Sequence, residues 1–299
     1  MSIDLFATVL DCAGRPLRLD RPRVVGILNL TPDSFSADGH HDSIEAAVAH
    51  GLRMAEEGAD MLDVGGESTR PNATPLTPDE EQARILPVVE SILRQRPKTI
   101  LSIDTFRAST ARNAIEAGAE IINDVSGHLW DASMSATCAT LGCGTVLMHT
   151  RGRPQEWPTL PPLAPGEVLP VVLSGLADRL ESALAAGIPR DKIVLDPGLG
   201  FGKRLEENYP LLAYLDQLQR FNLPILVGAS RKSFLGHTRT QSALDTALHP
   251  TPPPTDERVH ATTAANIAAI LAGAHILRSH DVRPAAEAAA VADRILVAL

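Results

Sequence analysis

Eight short apolar runs dominate this sequence, and each ends at or beside a polar or charged residue. They are Val24 to Leu30, Met61 to Gly65, Thr99 to Asp104, Ile121 to Val125, Thr145 to His149, Ile193 to Asp196, Ile225 to Gly228 and Ile276 to His280. A continuous Val/Ile/Leu run reads as a strand covered on both faces, the condition inside a parallel sheet. Between the runs lie stretches of helical period, such as Ser43 to Glu57 and Pro78 to Gln95. Thr77-Pro78-Asp79-Glu80 supplies a cap, a first-turn proline and early carboxylates, while Gly58, Gly118 and Gly187 follow helical stretches as stop signals. Eight strands alternating with helices predict an α/β fold, a single (β/α)8 TIM barrel. The spacing between strands is irregular, so the architecture repeats and the sequence does not.

The 299 residues divide into a lead-in over 1–22 and a barrel over 23–299. Pro154, Pro158, Pro161, Pro162 and Pro165 predict an ordered, non-helical excursion over 151–166, and Pro252-Pro253-Pro254 falls in a second irregular excursion at about 236–255. The net charge of −9 comes without a Lys/Arg run that could track a phosphate backbone, which argues against nucleic acid and for a small ligand. The amino-terminal stretch has neither the basic region nor the apolar core of a secretory signal, and Ala261 to Leu277 is too polar to span a bilayer. Cys12, Cys138 and Cys143 are odd in number and lack C-x-x-C spacing, so they predict neither a disulfide framework nor a zinc site. A cytoplasmic location is expected.

In a barrel of this kind the chemistry sits at the carboxyl ends of the strands. Those ends supply two chemical groups. Asp104, Asn123, Asp196 and Lys232 could hold a flat heterocycle with N–H edges and a carbonyl, while Asn29, Thr69, Arg70, Arg278 and His280 suit an anion, with or without a metal. Arg278 and His280 are two apart in one strand and should face the lumen together. Bland readings stand beside these. Asp104 could cap a helix beginning near Phe106, Asp63-Val64-Gly65-Gly66 could be a structural turn, and His149 could serve buried backbone groups. Lys232, flanked by Arg231 and Ser233 just past a buried strand, is poorly placed for a solvated role.

Four segments carry a resemblance to a known family: Gly26 to Phe35 (GILNLTPDSF), Asp63 to Pro71 (DVGGESTRP), Asp196 to Lys203 (DPGLGFGK) and Ser230 to Gly236 (SRKSFLG). In this order they resemble the motifs of the dihydropteroate synthases, over a stretch from about Arg23 to the carboxyl terminus. The resemblance implies condensation of (7,8-dihydropterin-6-yl)methyl diphosphate with p-aminobenzoate. It implies catalytic roles for Asp104, Asp196, Lys232 and Arg278, and a pterin pocket of those four with Asn123. Asn29, Thr69, Arg70, Arg278 and His280 would hold diphosphate, Asn29 also serving as ligand to Mg2+. Phe35, Arg70, Pro71, Phe201, Lys232 and Ser233 would receive p-aminobenzoate. It also implies a homodimer.

The chain departs from the family pattern in three places. One extra residue precedes Asp38 in Phe35-Ser36-Ala37-Asp38-Gly39, Ser279 stands where an apolar residue is usual, and the excursion after Lys232 is long. The rivals are a methyltetrahydrofolate-dependent methyltransferase, an aldolase-type barrel with Lys232 as Schiff-base nucleophile, and a non-catalytic pterin-binding relative.

Overall fold

The computed structural model describes residues 8–30, 40–68, 73–237 and 254–298. Eight parallel strands form the barrel: β3 (Arg23–Asn29), β4 (Met61–Gly65), β5 (Ile100–Asp104), β6 (Ile121–Asp124), β7 (Gly144–Met148), β8 (Ile193–Asp196), β9 (Leu226–Val227) and β10 (Ile276–Ser279). β3 through β8 pair in sequence order, β10 pairs with both β3 and β9, and a parallel bridge between Leu195 and Ile225 joins β8 to β9. Every strand seen as an apolar run is present, with ends moved by one residue or so.

Helices cover the outside, among them α1 (His40–Glu56), α2 (Pro78–Gln95), α3 (Ala108–Glu116), α4 (Met134–Leu141) and α5 (Pro165–Ala185). α6 (Tyr209–Ala213) and α7 (Ser233–His237) are short, while α8 (Val259–Leu271) and α9 (Val282–Val297) follow the last two strands and pack on each other. α2 starts where the sequence says it should: Thr77 and Glu80 form a reciprocal capping box ahead of Pro78. The excursion over 151–166 proves less irregular than its prolines suggest. It contains a 3-10 turn at Trp157–Thr159, and Pro165 is already the first residue of α5, where a missing N–H costs nothing.

Strand alternation sorts the side chains into two cores. Val24, Leu28, Leu62, Val64, Leu101, Ile103, Leu147, Leu195 and Leu277 face outward against the helices. Inside, every strand contributes one apolar side chain to a floor: Val25, Met61, Ile100, Ile121, Val146, Val194, Leu226 and Ile276. One alternation further along stand Asp63 above Met61, Ser102 above Ile100, Asn123 above Ile121, Asp196 above Val194 and Arg278 above Ile276. On these five strands the lumen changes from apolar to polar in a single step, and the polar step is where the candidate site lies.

The lead-in is more than a lead-in. It forms an antiparallel hairpin, β1 (Val9–Cys12) with β2 (Arg15–Arg18), turning through Ala13 and Gly14 at positive φ. Leu10, Cys12, Leu17 and Leu19 are buried against the floor residues of all eight strands and seal the amino-terminal end of the lumen. Leu10→Ala, at a side chain 1% exposed, should lower unfolding stability by about 2–5 kcal/mol, readable as a shifted denaturant midpoint.

Candidate active site

Arg278 organises the polar layer. Its Nε donates to Asp63 Oδ2 at 2.6 Å and its second guanidinium nitrogen to Asp104 Oδ2 at 2.7 Å. Asn123 Nδ2 also donates to Asp63 Oδ2, at 2.9 Å. That bond orients the amide so that Asn123 Oδ1 is left as an acceptor for a ligand N–H. The sequence predicts Asp104, Asn123 and Arg278 as neighbours but does not tell that Arg278 and Asn123 share Asp63 as an acceptor. Asp63 is 1% exposed, and its other oxygen, Oδ1, is buried without a hydrogen-bond partner. In sequence it stands at the end of an apolar run and opens the DVGGESTRP segment, where a structural turn is the competing explanation. The turn reading fails because Asp63 lies within β4 and faces the lumen.

The bland reading of Asp104 also fails. The helix after β5 begins at Ala108, and its first free N–H is met by Asp131 Oδ2 at 2.8 Å, not by Asp104. Burial, with Asp63 close by, pushes the Asp104 carboxyl well above the usual range, against the opposing pull of Arg278. Arg278 is held more firmly charged by Asp63 and Asp104, which outweigh its own burial. Asp196 is likewise pushed up by burial, while a hydrogen bond from Gly198 N at 2.7 Å and the charge of Lys232 pull it down.

Lys232 follows β9, with its Nζ 4.1 Å from the centroid of the Phe201 ring. Burial and the Arg278 charge bring its ammonium down to about 8. Trp157 packs edge-on against Phe201 at 5.3 Å. His280 Nδ1 lies 3.0 Å from Ser230 Oγ, and burial beside Arg278 and Arg231 pushes its ring down to about 3. His280 is therefore a neutral hydrogen-bonding group at physiological pH rather than a second cation. Ser230, unassigned from sequence, also accepts from the His280 backbone N–H at 3.1 Å. Arg231 leaves the site to pair with Asp281 at 2.6 Å, and Ser279 is fully buried on the outer side of the sheet. His149, at 6% exposure, is pushed down to about 2 by burial and neighbouring cations, and its Nδ1 has no hydrogen-bond partner.

The remaining predicted contacts divide. Asn29 ends β3 and Ser233 opens α7. A β-carbon at Gly65 would lie 3.6 Å from Asn29 Oδ1 and 3.7 Å from Asp104 Oδ2, so two oxygens share the space above that glycine. Phe35, Thr69, Arg70 and Pro71 lie outside the described residues, as does most of the excursion at 236–255.

A closed barrel with a carboxylate, amide and cation layer at its strand ends matches one class of protein. The sequence profile described as "Pterin binding enzyme" fits residues 25–280. Dihydropteroate synthase of Escherichia coli strain K12 is 40% identical over 285 residues, 95% of each chain. The Xanthomonas albilineans dihydropteroate synthase structure with 4-aminobenzoic acid is 42% identical, with a TM-score of 0.85 over 96% of this chain and 97% of that one. The same enzyme in complex with 7,8-dihydropteroate gives 40% identity and a TM-score of 0.82 over 96% and 98%. The chain belongs to the dihydropteroate synthases, transferases of folate biosynthesis.

Proposed function

We propose that this chain joins (7,8-dihydropterin-6-yl)methyl diphosphate to p-aminobenzoate, releasing diphosphate, with the polar layer as the pterin pocket. One observation carries this reading: Arg278, clamped between Asp63 and Asp104, lies in one lumenal layer with Asn123 and Asp196. Asn123 Oδ1, Asp104 and Asp196 offer acceptors to the pterin N–H groups, and Lys232 offers a donor to its ring carbonyl. Arg278 and neutral His280 take the diphosphate. Phe201, Lys232 and Ser233 receive p-aminobenzoate, with its carboxylate toward the free N–H groups where α7 begins. Phe35, Pro71, Thr69 and Arg70 complete both subsites in this proposal.

The chemistry is substitution at the pterin methylene with C–O cleavage running ahead of attack. Arg278 disperses the charge gathering on the leaving diphosphate, and Asp104 and Asp196 stabilise the cation delocalised over the pterin. An arylamine is already neutral at physiological pH, so no strong general base is required. The Asn29 oxygen above Gly65 is a hard donor of the kind magnesium accepts when substrate phosphates supply further ligands, whereas Asp104 Oδ2 beside it is already engaged by Arg278. Asn29 would hold the ion, which would neutralise leaving-group charge. Calorimetry of diphosphate binding should lose most of its signal when a chelator is added. An unchanged titration would remove Asn29 from the metal shell.

Leu271 on α8, and Val291 with Ile295 one turn apart on α9, are exposed apolar side chains on two helices that pack together, and they support a homodimer. No helix among the described residues is long and apolar enough to cross a membrane. The function is tested with purified protein, magnesium, the pterin diphosphate and labelled p-aminobenzoate. Labelled dihydropteroate that depends on both substrates supports the proposal. A protein that binds the pterin and yields no product would be a non-catalytic relative.

A further inference from the structure

Lys203 is 7% exposed, and among the described residues its ammonium is held by hydrogen bonds to backbone carbonyls and not by an ion pair. Its Nζ donates to three carbonyl oxygens, Gly198 at 2.7 Å, Phe201 at 3.2 Å and His149 at 3.2 Å. An ammonium has three N–H donors, so all are used, and two of the acceptors belong to the loop joining Asp196 to Lys203 itself. The loop is wound around its own cation. The third acceptor, at the end of β7, fastens it to the barrel rim. The winding needs backbone that L side chains resist: Gly198 and Gly202 have φ of +67°, a β-carbon at Gly198 would collide with the His149 carbonyl, and one at Gly202 would come within 2.6 Å of the Arg151 carbonyl oxygen.

Two groups of the site hang on this loop from opposite ends. At its start, Gly198 N donates to Asp196 Oδ1 at 2.7 Å, fixing the carboxylate. Near its end stands Phe201, whose ring lies under Lys232 Nζ. The carbonyls gripped by Lys203 are those of Gly198 and Phe201, the residues that make these two contacts.

We infer that Lys203 is a positioning residue for both substrate subsites, its ammonium acting as an internal cation that holds Asp196 toward the pterin and Phe201 toward the arylamine. The inference rests on the proposed assignment of those subsites. Charge matters as well as geometry. Asp196, Glu207, Arg151 and Lys232 surround Lys203 from β8, the 3-10 turn at Leu205–Asn208, and the ends of β7 and β9; burial brings the Lys203 ammonium down to about 7, so it is charged across the acid range, where its charge favours the ionised form of Asp196.

Lys203→Met removes all three donors and the charge, while Lys203→Gln removes the charge and one donor but keeps two. In variants shown to fold by thermal melting, pterin affinity and the KM for p-aminobenzoate should both worsen by about tenfold in Lys203→Met, with a smaller loss in Lys203→Gln. Both should move the acid limb of pterin binding to higher pH by about half a unit or more, because Asp196 loses a neighbouring positive charge. Variants that melt earlier yet keep both affinities and the wild-type limb would reduce Lys203 to a structural role and overturn the inference.

If neither variant folds, the wild-type protein decides. Its four lysines make nitrogen-15 lysine spectra simple, and a protected Lys203 ammonium resonance should shift on adding either substrate. A resonance indifferent to both, in protein that binds them by calorimetry, overturns the inference. The wild-type product assay tests the functional proposal separately, since Lys203 could fail its test while that assay succeeds.

Discussion

Arg278→Ala is expected to give the largest loss of any single change in the site, in stability and activity together. The guanidinium is the ion-pair partner of both Asp63 and Asp104, at 2.6 and 2.7 Å, and Asp63 is almost completely buried. Removing one partner of a buried pair leaves uncompensated charge, which costs about 3–5 kcal/mol. Asp104 escapes part of that cost by taking up a proton once Arg278 is gone, since burial already pushes its carboxyl upward. The variant should therefore be most destabilised at alkaline pH, where the Asp104 carboxyl ionises without its cation, and should recover some stability on acidification. Activity should fall by at least about 1,000-fold, or roughly 4 kcal/mol of transition-state stabilisation, because the acceptor layer and the diphosphate contact go together. Urea titrations at several pH values, with turnover measured on the folded fraction, separate the two effects. A folded variant retaining near-normal turnover would remove Arg278 from the chemistry.

Lys232→Met should behave differently, losing activity while keeping the fold. The Lys232 ammonium lies over Phe201 and is lowered to about 8 by burial and Arg278, so the uncharged variant loses no tight ion pair and sheds a desolvation cost. Turnover should drop by about 100-fold or more, with melting temperature held or raised. The pH profile gives a sharper test. A lowered ammonium is fully charged below its folded value and neutral above it, so wild-type kcat/KM for the pterin diphosphate should decline as pH rises through about 8. In Lys232→Met that basic limb should vanish. Persistence of the limb would assign it to another group. Asp196→Ala should also lose most turnover without unfolding, since the carboxylate accepts only the loop N–H of Gly198 among the described hydrogen bonds.

Much of this was legible in the sequence because a strand buried on both faces leaves a simple trace. Apolar runs marked all eight strands, and the residues ending them converge as strand ends must. What stayed hidden was pairing between them. Asp63 and Arg278 lie 215 positions apart, and nothing local to either tells that one carboxylate orients both the guanidinium and the Asn123 amide. Lys203 was visible only as the last letter of a motif, because a lysine saturated by backbone carbonyls leaves no partner residue to notice. His280 reads as a cation in sequence and becomes neutral through burial among arginines. The hairpin could have been found. Leu10 and Cys12, then Leu17 and Leu19, alternate at strand period on either side of Ala13-Gly14, but runs of four residues are easily taken for a tail.

That hairpin also dictates a timetable. The residues it covers come from every strand, including Ile276 near the far end of the chain. During synthesis Leu10 and Leu17 emerge well before Ile276, the last of these partners in chain order. The apolar face of the hairpin must wait for its full cover until β10 is made, which makes folding strongly non-local and leaves that face open to aggregation in the meantime.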